Sequence, residues 1–253
     1  MDRRNFLTTA GSALIAANEV LGQNNEPGAG VIQKKEFEPL REVLSGKEPA
    51  IWVFTGDSIT HGALHTFGWR SYVEHFSERV RWEMRRMTDI VINTGISGDT
   101  MKGIHARDDW RIFQFRPKVV SLKIGMNDCR DGEKGRSDFR QSLERFVKKA
   151  AEKRILVLLH TPNLIHFSND PARKDLPAYV DEIRNVAEKH RLPLIDHYAY
   201  WTEETGGKAR LQMWLNDGSI HPNGYGHLVL ARKLFLDLGI HDPASKVCGL
   251  FVP

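Results

Sequence analysis

Cysteine is nearly absent: Cys129 and Cys248 are the only two in 253 residues. They form no Cys-x-x-Cys pair and no cysteine–histidine cluster at zinc spacing, so no metal site is expected and both are expected to be free thiols. Long apolar runs are missing too. None approaches the roughly 20 residues of a membrane-spanning helix, so stable membrane insertion is not expected. Charge of one sign is never concentrated, with 36 Lys and Arg against 32 Asp and Glu, a net of +4. The densest basic stretch, Arg79 to Arg86, is broken by Glu83 and reads as a solvated helix face, which argues against a nucleic-acid partner. No glycine-rich phosphate loop follows the first apolar run, so no nucleotide or flavin cofactor is expected.

What is present fits a soluble globular chain: 41% hydrophobic and 27% charged residues, with 12 Phe and 6 Trp to build a core. The length suits one α/β domain. The chain starts with Arg3-Arg4-Asn5-Phe6-Leu7, then an uncharged stretch to about Ala17. This resembles a twin-arginine export signal of the bacterial type, expected over residues 1–22, and implies a periplasmic or secreted protein. Residues 23–48, rich in Gly, Pro, Asn and charge, read as a linker or lead-in. The main domain is expected over residues 49–242, with a C-terminal tail at 243–253.

Within that domain, apolar runs alternate with helical periodicity. Strands are expected at Ala50–Phe54, Asp89–Asn93, Lys118–Ile124, Ile155–Leu159 and Leu192–Ile195. Apolar residues from Trp69 to Met87 recur every three or four positions and predict one amphipathic helix. Others are expected after a Ser137 cap, over about Pro177 to His190, and after Pro222. Five apolar runs separated by helices point to a parallel sheet covered on both faces, with its ligand site at the carboxyl ends of the strands.

The reactive residues cluster at those ends. Gly56-Asp57-Ser58 follows the first run and Asn93-Thr94-Gly95-Ile96-Ser97-Gly98 the second. Gly125-Met126-Asn127-Asp128 follows the third, and Asp217-Gly218-Ser219-Ile220-His221-Pro222 precedes the last helix. A serine hydroxyl is a weak nucleophile until a base takes its proton, and a histidine of ordinary pKa can do so near neutrality. Backbone and side-chain amides suit the oxyanion that forms on attack.

These four blocks, in order over roughly Ile51 to Leu238, resemble those of the SGNH (GDSL-like) hydrolase family. The resemblance implies a flavodoxin-like three-layer α/β/α sandwich on a five-stranded parallel sheet. It also implies serine esterase activity: Ser58 as nucleophile, His221 as base, and Gly98 and Asn127 with the Ser58 amide as oxyanion donors. The family places its acid three residues before the histidine, whereas Asp217 lies four before it, with Gly218 at the usual place. Either Asp217 reaches the ring from a longer loop, or Asn216 or a backbone carbonyl orients it.

Several neighbours have expected supporting roles. Asp57 is expected to brace the serine turn, His61 and His65 to line the pocket, and Asp99 and Asp128 to cap loops. His160 and Thr161-Pro162-Asn163 could border the cleft, and Trp214 is either a sugar-stacking platform or ordinary packing. The expected substrate is a small-molecule or polysaccharide ester, with short acyl groups on a carbohydrate favoured. A lipid acylhydrolase (lysophospholipase) and a non-catalytic glycan-binding protein are the alternatives. The sequence leaves the oligomeric state open.

Overall fold

The computed structural model describes residues 34–253 except Ala63 and Gly207, without the side chains of Lys208 and Ala209. The expected export signal at 1–22 and the first part of the lead-in lie outside the described residues. Among the described residues no helix is long and apolar enough to cross a membrane.

Five parallel strands form one sheet: β1 (Ile51–Gly56), β2 (Ile90–Asn93), β3 (Val119–Lys123), β4 (Leu156–His160) and β5 (Leu194–Ile195). Their spatial order is β2-β1-β3-β4-β5, so successive connections leave β1 in opposite directions. That reversal opens a crevice above the carboxyl ends of β1 and its neighbours, where doubly wound sheets bind ligands. β1 and β3 are buried almost throughout, as strands covered on both faces must be. Register places Gly56 beside Lys123, and Lys123 beside His160, so these three residues end their strands at one level.

Helices close both faces into a three-layer α/β/α sandwich. One group comprises α3 (Tyr72–Ser77) and α10 (Gly224–Leu238), which pack on each other; α10 also contacts α8 (His197–Thr205), α9 (Lys208–Trp214) and β5. The other comprises α6 (Gly132–Glu152) and α7 (Leu176–His190), packed together and on β4, with α4 (Met101–His105) against α6. Two further short helices, α2 (Ser58–His61) and α5 (Asp108–Arg111), lie in loops after β1 and β2.

Several elements depart from the expectations. The helix expected from Trp69 to Met87 starts only at Tyr72, where Ser71 and Glu74 form a reciprocal capping box. It widens into a π-helical segment at Glu78–Glu83, and its intended ends are exposed, Trp69 at 54% and Met87 at 56%. Ser137 caps nothing: α6 begins five residues earlier, at Gly132, directly after a short 3₁₀ turn. The lead-in is helical from Lys35, with a 3₁₀ turn running into α1 (Glu38–Ser45), and it buries Phe37, Leu40 and Leu44 in the core. The expected tail also packs, burying Val247 and Cys248. Both cysteines are buried free thiols, and burial pushes the Cys129 thiol up to about 12.

Asp89, at the start of β2, joins three of these elements. Its carboxylate accepts hydrogen bonds from Ala50 N (3.1 Å), Trp52 Nε1 (3.0 Å), and Arg86 Nε and Nη2 (both 2.9 Å). The same guanidinium donates to the carbonyls of Leu44, Gly46 and Glu48, tying the end of α1 to the sheet. Replacing Asp89 with Ala strands a buried cation and two N–H donors. It should cost about 3–5 kcal/mol, read as a fall in the denaturant midpoint. Asp109→Ala, at an exposed carboxylate, should leave the midpoint unchanged.

Buried histidines predict how stability responds to pH. Burial lowers His160 and His227 from 6.5 to about 3, so both stay neutral in the fold. Between about pH 6.5 and 3 the unfolded chain binds protons that the folded chain refuses. Stability should therefore fall as pH drops through that window. His227→Asn keeps an acceptor for Tyr72 N and should flatten the slope of Tm against pH by about one proton.

Candidate active site

The Ser58 turn is built by local chemistry. Asp57 caps α2, its Oδ1 accepting the Ile59 amide at 2.9 Å, which is the bracing expected of it. Ser58 is thus the first helical residue above the end of β1. The Gly56 carbonyl beneath it accepts from Arg111 Nη2 at 2.6 Å and from Ile96 N at 3.0 Å, fixing the end of β1 to the loop after β2.

The histidine arrives from the far end of the chain. An antiparallel bridge pairs Leu215 with Pro222, and Asn216 N donates to the His221 carbonyl at 2.8 Å. Inside this loop Asp217 Oδ1 accepts the amides of Ser219 (2.9 Å), Ile220 (2.8 Å) and His221 (3.1 Å), leaving Oδ2 bonded to His221 Nδ1. Gly218, with φ of 66°, takes up the extra residue in a left-handed turn, so the longer spacing still brings the carboxylate to the ring. Asp217, not Asn216, makes that contact. With Nδ1–H donating to Asp217, Nε2 is free to accept from the Ser58 hydroxyl, whose Oγ lies 2.9 Å away.

Three successive carbonyls of this loop are held by the segment after β4. Asn169 Nδ2 donates to Gly218 O (2.7 Å), His166 N to Ser219 O (2.8 Å), and Asn163 Nδ2 to Ile220 O (3.2 Å). Asn163 in turn accepts from the buried ammonium of Lys123 at 3.2 Å. No motif in the sequence marks Asn169 or Lys123. His160 and Asn163, expected to border the cleft, are instead buried, His160 bonded to Ser121 and His197.

Gly98 and Asn127 are also brought together. Gly98 has φ of 79° with open space where a Cβ would stand, so the left-handed backbone demands glycine there, not crowding. Asn127 Nδ2 donates to Asp99 O at 2.9 Å and its Oδ1 accepts from Arg173 Nη2 at 3.2 Å. These partners fix which way the amide faces, and Nδ2 keeps a second N–H. Asp99 is gripped by Arg111 and by Arg107 (3.2 Å), and Asp128 accepts the Met101 amide at 2.8 Å, so both serve the loops as expected. His61 Nδ1 and Ser97 Oγ, 3.1 Å apart, link the serine helix to the Gly98 turn.

The electrostatics follow from burial. Partial burial pushes the Asp217 carboxyl up, but hydrogen bonds from His221 and three amides outweigh it and hold it well below the usual carboxylate range. Asp57 is raised by burial against the opposing pull of Lys123, while burial lowers Lys123 to about 8. His65 stacks on His221 with ring centroids 3.5 Å apart and planes 3° from parallel, and its pKa is lowered by burial and by His221. No feature of the sequence pointed to that stacking. One ligand atom each of His65, Asp217 and His221 lies within 4.8 Å of the others, a spacing a metal ion could use. Trp214 is no platform: it is buried edge-on to Trp201 at 5.1 Å and donates to Pro253 O.

The chain as a whole is similar to known hydrolases. An acetylxylan esterase of Geobacillus stearothermophilus is 27% identical over 216 residues, covering 77% of this chain and 96% of its own. The crystal structure of LAE5, an α/β hydrolase enzyme from the metagenome of Lake Arreo, aligns at TM-score 0.64 and 25% identity, over 78% of this chain and 99% of that one. A serine-to-alanine catalytic mutant of Axe2, an acetylxylan esterase from Geobacillus stearothermophilus, aligns at TM-score 0.62 and 25% identity, over 77% and 97%. The model of the GDSL-like Lipase/Acylhydrolase family matches residues 54–229, from the end of β1 into α10. The fold, the order of the blocks and this match together make the chain a carboxylic ester hydrolase that belongs to the GDSL-like Lipase/Acylhydrolase family.

Proposed function

We propose that the protein removes short acyl groups, acetyl foremost, from a carbohydrate through an acyl-enzyme on Ser58. The observation that carries this reading is the Ser58 Oγ–His221 Nε2 hydrogen bond of 2.9 Å, with Asp217 on the opposite ring nitrogen. His221 takes the hydroxyl proton as Oγ bonds to the ester carbonyl carbon, and the carbonyl electrons move onto oxygen. The Ser58 and Gly98 amides and the second N–H of Asn127 stabilise that oxyanion, each such donor being worth about 2.7–4 kcal/mol. The C–O bond to the alcohol breaks and His221 returns the proton to the departing oxygen. Water then repeats the sequence and frees the acid. Asp217, ionised over the working range, holds the ring and stabilises the imidazolium.

The carbohydrate assignment draws on the acetylxylan esterase relative. An export role draws on the Arg3-Arg4-Asn5-Phe6-Leu7 start.

On p-nitrophenyl acetate, Ser58→Ala and His221→Ala should each lower kcat by at least about a thousandfold, and the double variant should be little worse than either. Turnover by Ser58→Ala near the wild-type rate would defeat the mechanism. Asp217→Ala should lower kcat by about 10³–10⁴-fold while Asn216→Ala stays near wild type, a comparison that steady-state kinetics at pH 8 decides.

A further inference from the structure

Beside the acid–histidine loop lies a second cavity, of about 260 Å³, that the chemistry above does not use. One wall is Asn216 and Asn223, directly outside Asp217 and Pro222. The opposite wall is Thr66, Phe67 and Trp69, and Tyr225 from the start of α10 completes it. Both walls adjoin the candidate active site along the chain: Asn216 precedes Asp217, and His65, the residue before Thr66, is the one stacked on His221 at 3.5 Å.

Its aromatic side chains are arranged for a ligand more than for the core. Phe67 is 75% exposed and Trp69 54%, whereas the core aromatics Trp52, Phe54 and Phe76 are at most 1% exposed. Trp69 nevertheless has a fixed seat. A Cβ at Gly224 would stand 2.5 Å from the indole, so the ring lies directly on the helix start, tilted at 58° to Tyr225 with centroids 5.3 Å apart. The Asn216 side chain makes no hydrogen bond among the described residues, and no lining residue is charged. Exposed ring faces with a free amide and no charge suit a neutral polyol ring, whose C–H face packs on aromatics while its hydroxyls meet the amide.

Which part of an ester would sit there follows from the proton path. The acyl carbon bonds to Ser58 and its oxygen faces Gly98 and Asn127, while His221 hands its proton to the departing alcohol. The alcohol therefore lies on the His221 side, and the cavity's lining residues Asn216 and Thr66 are the chain neighbours of Asp217 and His65, which contact that ring. Resting on the esterase reading, we propose that this cavity is an alcohol-side subsite that stacks a neutral pyranose ring of an acetylated oligosaccharide on Trp69 and Phe67.

The test compares two substrates on the full chain: ethyl acetate, whose alcohol carries no ring to stack, and chemically acetylated xylooligosaccharides. Trp69→Ala should raise KM for the oligosaccharide about tenfold and leave kcat and KM for ethyl acetate unchanged, with Phe67→Ala giving a smaller effect of the same kind. Both side chains are mostly exposed, so both variants should fold, as thermal melting would verify. Equal losses on the two substrates, or no loss on the oligosaccharide, would overturn the subsite. So would a loss confined to p-nitrophenyl octanoate, which would make the cavity an acyl groove. A wild-type enzyme that cleaves ethyl acetate but not the oligosaccharide would sink the subsite and leave the esterase mechanism standing; failure on both esters would sink the mechanism itself.

Discussion

The hydrogen bond from Ser58 to His221 spans 163 residues of sequence, and no local preference can make it. It exists because the chain connections reverse at β1 and because the loop before the last helix returns His221 to the serine turn at the end of that strand. A hydroxyl and an imidazole must meet within about 3 Å for proton transfer, so both backbones have to be held to a fraction of that distance. The serine is fixed locally, by the Asp57 cap and the short helix it opens. The histidine stands on a loop, and loops are the least rigid supports a protein offers.

The structure meets that difficulty with the segment after β4. Asn163, His166 and Asn169 capture the carbonyls of Ile220, Ser219 and Gly218, while Asp217 captures the amides of the same stretch. Every backbone amide and carbonyl from Ser219 to His221 is bonded, which holds that stretch much as a helix would. Asn163 is itself anchored to Lys123, at the end of β3 and level with Gly56, so the loop is referred back to the sheet that carries the serine.

Burying Lys123, Asp57, Arg111 and Asp99 close to the reacting groups is costly, since each loses hydration. Arg111 shows what the cost secures: it bonds the carbonyls of Thr94 and Gly56 and the Asp99 carboxylate at once, fastening the loop after β2 to the end of β1. Two of the proposed oxyanion donors, Gly98 and Asn127, stand on that loop and on the turn after β3, with Asn127 oriented by Arg173 and Asp99. Preorganisation of this kind raises a transition-state interaction above what the same dipoles would give in water.

What could be read along the chain was whatever depends on near neighbours. Strand runs, the turns after them and the Asp57 cap are set by residues a few positions apart, so the sheet, the three motifs at its strand ends and the motif before the last helix were legible. α1 was legible in principle, since Phe37, Leu40 and Leu44 recur at helical spacing, but the surrounding Gly, Pro and charge hid it. The π-helical widening after α3 and the early start of α6 were not, because tertiary packing overrode the local pattern. Asp217 shows the boundary most sharply: its type and approximate place could be read, yet its reach to the ring depended on a left-handed turn at Gly218 and on three donors from another strand connection. The sequence thus settled which chemical groups are available and the strand ends they follow. Only the folded chain decided their distances, the stacking of His65 and the clamp on the histidine loop, because those rest on contacts between residues far apart along the backbone.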